Sequence, residues 1–316
     1  MPAEAVLTTR FGGARLMAAA SLCAGVGIFS VQDVILKYVS GSYPLHEAVA
    51  IRCAVALPIL LYMVHRRGGL RRIVSRRSGA LALRGGLLIL AYGSYYLAFP
   101  VMKLAAVVTL YFTTPLFITA LAQPLLGEKV SLKAWLAVLV GFVGVVVTYR
   151  PGVGLFDWAS LLPVAAAFTY ALAALMARRL GTSESASLMG FYQNLTFLVA
   201  ALVLAVFLGD GRYASPDMHK SLAFLLRPWS FENPTDLLLL AACGPVAAFG
   251  AVLLTHAYRT AEVNFVAPFE YSGLVWAASW GFFVFHEVPG PYLIVGAALI
   301  TGSGLYMLLW GRRAQT

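Results

Sequence analysis

Three ionisable side chains stand inside long apolar runs. Asp33 sits in "IFSVQDVILKYVS", Arg52 in "AVAIRCAVALPIL" and Glu270 in "VAPFEYSGLVWAASW". At the centre of a bilayer such a group costs about 2.5–3.5 kcal/mol on insertion scales, so it turns toward a polar interior and takes a partner or a ligand. Counted at 1.5 Å per residue from the ends of their runs, Arg52 and Glu270 both lie roughly 13 Å deep, and they approach from opposite sides. The expectation is that they flank one central cavity, where they pair or bind opposite poles of a substrate. A structural ion pair without substrate contact is the plainer alternative.

Other residues join them. Asp33 and Lys37 are four apart, on one helix face, which suits a salt bridge at the membrane surface or, with Gln32, an outer gate or substrate site. His46 and Glu47 open the second apolar run, where an acid is favoured by the helix dipole. In "AYGSYYLAF" the spacing of Tyr92, Tyr95, Tyr96 and Phe99 puts four rings on one face. They suit stacking on a planar ligand, or an aromatic belt at the membrane surface. Tyr111, Gln193, Asn194, Tyr271 and Trp276 are weaker cavity candidates. The substrate-binding set is therefore Arg52, Glu270, Asp33, Tyr92, Tyr96, Gln193, Tyr271 and Trp276. Glu270 and Asp33 are the acids that could couple transport to protons. Pro115 and Pro268 should break the backbone ladders of their helices beside a shared site. Glu128 and Glu287 read as acids that set turns.

The elements that must position these groups follow from composition. The chain has 316 residues, 60% hydrophobic and 11% charged, with mean hydropathy +0.82. Soluble domains are about 45–50% apolar and about 25% charged, so the chain is expected to be an all-α integral membrane protein. Apolar runs at 14–36, 44–64, 80–101, 104–126, 134–149, 155–177, 186–209, 236–257, 261–283 and 291–310 give ten expected transmembrane helices. The uncleaved first run is a helix, not a signal peptide. Sixteen Lys and Arg fall in connections on one side and six on the other, and "HRRGGLRRIVSRRSG" dominates the count. That bias places both termini in the cytoplasm of a multi-pass protein of a bacterial-type inner membrane. The net charge of +10 thus serves orientation in the bilayer and not nucleic-acid binding. Residues 210–236 form the longest connection, read either as an interfacial helix in "SLAFLLRPW" or as a ligand lid.

The halves repeat weakly. Lys37 precedes Arg52 by fifteen residues, as Arg178 precedes Gln193; Ala98 precedes Glu128 by thirty, as Ala257 precedes Glu287. Five helices per half make the second half enter from the opposite side, a 5+5 inverted repeat of residues 1–150 and 151–316, as in secondary transporters. "TTPLFITALAQPLLGEKVSLKAWLAVLVGFVGVVVTYRPG" and "VAPFEYSGLVWAASWGFFVFHEVPGPYLIVGAALITGSGLYML" close the two halves. Over essentially the whole chain the sequence resembles EamA-type transporters of the drug/metabolite transporter superfamily. The resemblance implies alternating-access movement of small organic metabolites. "QDVILKYVSGSYPLHEAVAIR" looks more like the branch of S-adenosylmethionine and riboflavin carriers than like amino-acid exporters.

Function classes narrow accordingly. There is no Walker-type loop, so an ion gradient or exchange should supply energy. Cys23, Cys53 and Cys243 and the scattered His46, His65, His219, His256 and His286 have no metal-ligand spacing, so no cofactor or metal is expected. "MAAASLCAGVG" and "GFVGVVV" supply small residues for helix packing, within a monomer or a homodimer. The reading is a non-enzymatic secondary transporter of an amino-acid-like, S-adenosylmethionine-like or flavin-like molecule. The alternative is a membrane enzyme acting on a lipid or isoprenoid phosphate.

Overall fold

A computed structural model describes residues 3–66, 69, 73–127, 131–149, 158–180, 184–260 and 267–310. Glu128 lies outside them, as do the side chains of Arg178 and Pro268. The described residues form helices and no strands. The physical reason is that a backbone in hydrocarbon must satisfy its own hydrogen bonds, and a helix does so within one segment.

In chain order the helices are α1 (Ala3–Val39), α2 (Leu45–Arg66), α3 (Ser78–Leu97), α4 (Leu104–Tyr111), α5 (Thr114–Leu126) and α6 (Leu132–Tyr149), followed by α7 (Leu162–Leu180), α8 (Ala186–Leu208), α9 (Lys220–Leu226), α10 (Pro234–Thr260), α11 (Ser272–Phe285) and α12 (Pro291–Trp310). Among the described residues seven spans are long and apolar enough to cross a membrane: 16–39, 45–66, 78–97, 104–121, 158–177, 186–208 and 234–257. Trp135–Thr148 and Pro291–Tyr306 are apolar but shorter. The chain is thus a multi-pass, all-helical membrane protein.

Two expected spans differ in an informative way. The run at 104–126 is divided between α4 and α5, with Phe112 and Thr113 between them. Pro115 is the second residue of α5, a position where its missing N–H costs little. It starts a helix here and does not kink one. The freed carbonyls find local donors: Thr113 Oγ1 donates to the Leu110 carbonyl at 2.7 Å and Thr114 Oγ1 to that of Tyr111 at 2.7 Å. Within the expected 261–283 span, a 3₁₀ segment at Ala267–Tyr271 leads into α11. Glu270 therefore lies in a 3₁₀ turn just before a helix.

The helices pair along their lengths as α1 with α10, α2 with α8, α3 with α7 and α6 with α12, while α2 also packs on α10, α3 on α8, α5 on α7 and α11 on both α1 and α4. Small residues bring α6 and α12 together, as the "GFVGVVV" pattern predicts. A Cβ added at Gly144 would stand 2.9 Å from the Gly296 carbonyl oxygen and 3.0 Å from Ile300 Cγ1. Overpacking of this kind costs about 1–3 kcal/mol. Gly144→Val should lower the thermal midpoint of the detergent-solubilised protein by that equivalent, and an unchanged midpoint would contradict this packing.

Contacts at the helix ends define two opposite faces. On one, Lys103 Nζ donates to the Val288 carbonyl at 2.7 Å, Arg227 Nη1 to that of Ser40 at 3.2 Å and Trp229 Nε1 to His46 Nδ1 at 2.8 Å. On the other, Ser75 Oγ donates to Glu184 Oε1 at 2.6 Å and Tyr192 Oη to the Ile73 carbonyl at 2.6 Å. Within the long connection, α9 is held by Phe224, which is fully buried in the core. The Ser230 N–H donates to Glu47 Oε2 at 3.0 Å. His46 and Glu47, which the sequence marks as residues of a helix start, thus also anchor this connection.

Candidate functional site

A cavity lies among α1, α3, α4, α7, α10, α11 and the 3₁₀ segment. The one-face spacing of α3 supplies Tyr92, Tyr95 and Tyr96 to its wall, α4 supplies Tyr111, α7 Tyr170 and α11 Trp280. Asp33 of α1 and Glu270 add carboxylates, and no Lys, Arg or His occurs among the described lining residues.

The rings hold one another edge to face. Tyr95 and Tyr111 have centroids 5.1 Å apart at 61°, and Tyr111 and Tyr170 have centroids 5.6 Å apart at 65°. This is the geometry the ring quadrupole favours. Their polar tips are also fixed. Tyr95 Oη donates to Asp33 Oδ2 at 3.1 Å, Gln32 Nε2 donates to Tyr96 Oη at 2.6 Å, and Trp280 Nε1 donates to Ser30 Oγ at 2.9 Å. Ser30 Oγ in turn donates to the Gly27 carbonyl at 2.7 Å. The Ser30 hydroxyl, the Gln32 amide and the Asp33 carboxylate of α1 thereby hold three aromatic side chains from α3 and α11.

Of the sequence-derived set, Asp33, Tyr92, Tyr96 and Glu270 line this cavity. Arg52 lines a second, mostly apolar cavity between α2, α3, α8 and α9. Tyr92 and Tyr96 wall both cavities. Arg52 and Glu270 thus line different, adjoining cavities. Arg52 is buried, its guanidinium 5.5 Å from the Phe197 ring centroid, and its Nη2 lies 3.8 Å from Cys53 Sγ. Cys53 Sγ donates to Asn194 Oδ1 at 3.5 Å.

The other candidates sit elsewhere. Tyr271 is buried and meets Phe112 edge-on at 5.2 Å, with its hydroxyl directed at Gly304. Trp276 is 41% exposed and stacks on Trp280 at 6.4 Å and 22°. The residue that enters the cavity is thus one helical turn beyond the one the sequence suggested. Gln193 is half-buried on α8 and lines neither cavity. Ser30, Tyr170 and Trp280 escape sequence reasoning. For Tyr170 the available signal was a lone phenol in an apolar helix.

Lys37 also finds a different partner from the one its spacing implies. Its Nζ lies 3.0 Å from Glu287 Oε1, and Asp33 is left to Tyr95. Glu287 Oε2 accepts from the Leu104 N–H at 2.8 Å. It caps the start of α4 and not the helix that follows it in sequence.

Comparison with known proteins agrees with this architecture. The profile of the EamA-like transporter family matches residues 15–150. A riboflavin transporter of Vibrio cholerae is 30% identical over 294 residues, 92% of this chain and 91% of its own. An S-adenosylmethionine uptake transporter of Rickettsia prowazekii is 25% identical over 91% of this chain and 90% of its own. A pseudopaline exporter of Pseudomonas aeruginosa is 28% identical over 86% of this chain and 89% of its own. A solved structure at 16% identity superposes with a TM-score of 0.65 over 96% of this chain and 99% of its own, a likeness of fold alone.

Proposed function

The chain belongs to the EamA-like transporter family and carries a small metabolite; from that premise, we propose that it is a secondary transporter working by alternating access, with the aromatic and acidic cavity as its substrate site. The observation that carries this reading is the cavity's position. It lies between helices of both halves of the chain and is walled by side chains whose polar tips are fixed before any ligand arrives. The substrate class is a small polar organic molecule, amino-acid-like, S-adenosylmethionine-like or flavin-like.

The proposal includes ten spans in two inverted repeats, 1–150 and 151–316. Three features support it. The helix pairings are preserved when each element is exchanged for its counterpart: α1 with α10 against α7 with α3, and α2 with α8 and α6 with α12 against themselves. Arg52 and Gln193 each occupy the eighth position of their helices, counted from Leu45 and Ala186. The fourth expected span of each half departs from α-helix geometry within its described residues, at 112–113 and in the 3₁₀ segment 267–271. The Lys and Arg bias supports the further reading that the protein lies in an inner membrane with both termini cytoplasmic. Asp33 and Glu270 are the proposed proton-coupling acids.

The rival reading needs basic side chains or a metal beside a substrate phosphate. The described lining residues offer carboxylates and phenols, which repel or ignore a phosphate, so transport is favoured.

The test is flux into proteoliposomes of the purified protein, with a panel of amino acids, S-adenosylmethionine, riboflavin and nucleosides, with and without a proton gradient. Saturable flux of one panel member is expected. Ala277→Phe, which fills the cavity from α11, should abolish it. Flux untouched by this substitution would remove the cavity from the transport path.

A further inference from the structure

The second cavity, between α2, α3, α8 and α9, has polar side chains of one dominant kind. Val49, Ile89, Leu97, Phe197 and Leu204 make much of its wall, and Leu225 of α9 adds to it. Two nitrogen-bearing side chains of α2, His46 and Arg52, line the same space. Each is only 2% exposed, so water does not serve them.

Each carries a buried donor with no acceptor among the described residues. Arg52 Nε has no hydrogen-bond partner, and the guanidinium's one hydrogen-bond contact is to Cys53 Sγ, 3.8 Å from Nη2. His46 Nδ1 accepts from Trp229 Nε1 at 2.8 Å, and an indole nitrogen can only donate. The ring proton of His46 therefore sits on Nε2, which is buried without a partner. A buried N–H left unmatched is costly, and folded proteins carry few of them.

Acceptors are scarce in this space. The only side-chain oxygens on the described wall are the phenols of Tyr92 and Tyr96, and Tyr96 Oη already takes the Gln32 amide. Asp33 and Arg52 attract each other through space, which offsets part of the guanidinium charge. The Asp33 carboxylate nevertheless accepts from Tyr95 and lines the other cavity. The charge is partly balanced while the donors are not.

We propose that this cavity is a second ligand site, for a carboxylate carried on an apolar body. The guanidinium of Arg52 is the donor that matches two carboxylate oxygens, and the aliphatic and aromatic walls take the body. His46, near the start of α2, extends the same demand for acceptors toward the end of the helix. An ammonium group here would meet donors and a like charge. A wholly apolar molecule would leave both donors unmatched.

The experiment is calorimetry on the purified full-length protein, with ligand heats in protein-free detergent subtracted. The probes are octanoate and 4-phenylbutyrate, each set against its primary amide, which keeps the shape and removes the charge. In both pairs the acid should bind at least about tenfold more tightly. Arg52→Met, which keeps much of the side chain's bulk and removes the guanidinium, should bring that ratio below about threefold. Ala200→Phe, which fills this cavity from α8, should abolish binding of the acids, while Ala277→Phe, which fills the main cavity, should leave it unchanged. Equal binding of acid and amide by the wild-type protein overturns the inference. So does the absence of saturable binding of either acid at millimolar concentration, an unchanged ratio in folded Arg52→Met, or loss of binding in folded Ala277→Phe. The wild-type ratios stand whether or not the variants fold. The transport reading is scored separately: flux retained in Ala277→Phe removes the main cavity from the path and leaves this site untouched.

Discussion

Asparagine in place of Asp33 should reduce transport by about a hundredfold. The reason is the difference between shape and charge. Asparagine keeps an oxygen where Tyr95 Oη donates, at 3.1 Å in the native protein, so the ring that walls the cavity stays in position. What disappears is the negative charge. A hydrogen bond to a charged group contributes about 1.5–3 kcal/mol. A positive group on an amino-acid-like or S-adenosylmethionine-like substrate adds direct attraction, and a loss of about 2.8 kcal/mol is a factor of about a hundred. Tyr95→Phe, which removes the hydroxyl and spares the carboxylate, should cost about fivefold, the worth of one ordinary hydrogen bond of about 1 kcal/mol. Initial rates at substrate concentrations well below KM, measured in proteoliposomes, distinguish the two variants. Rates for Asp33→Asn within about threefold of wild type would show that Asp33 is not at the substrate.

The second large effect belongs to Glu287. It joins three pieces of chain at the end of the bundle that carries the 40–44 and 286–290 connections. One oxygen pairs with Lys37 of α1 at 3.0 Å, the other caps the first N–H of α4 at 2.8 Å, and its own N–H donates to the Gly281 carbonyl at 2.8 Å. His286, with φ of 54°, makes the left-handed turn that brings it there. The pair is well covered, with side-chain exposures of 10% and 19%. Removing one partner of a covered pair leaves the other charge without compensation, at about 3 kcal/mol. Glu287→Ala additionally strands a helix-start N–H. A marked fall in the thermal midpoint is expected for Glu287→Ala. A smaller fall is expected for Glu287→Gln, which retains an acceptor for Leu104. Adding Lys37→Met to Glu287→Gln should recover much of the loss, because no unpaired charge then remains. Equal midpoints for wild type and Glu287→Ala would show that the contact does not hold α1, α4 and the end of α11 together.

How far the sequence reached can be seen at Lys37 and Asp33. Their four-residue spacing is real, and both lie on α1. Local geometry permits a bond between them. It cannot register that Glu287, 250 positions away, comes closer. Glu287 shows the same limit from the other side. Its role at a helix start was legible from its type, but which helix it caps was not, because the acceptor and the N–H come from different parts of the chain. Trp276 and Trp280 differ by one turn of one helix, and only the packing of α11 against α1 decides which indole reaches Ser30.

What the sequence determined by itself was the class of molecule: helices, a membrane for solvent, and the family. These follow from composition, from the length of the apolar runs and from the cost of burying charge in hydrocarbon. What only the tertiary structure decided was which polar groups share a space. A helix turns about 100° with each residue, so a segment apolar on most sides fixes its depth in the membrane far better than its rotation. Arg52 and Glu270 were placed at similar depth, yet the rotation of α2 and α3 sets the rings of Tyr92 and Tyr96 between their compartments.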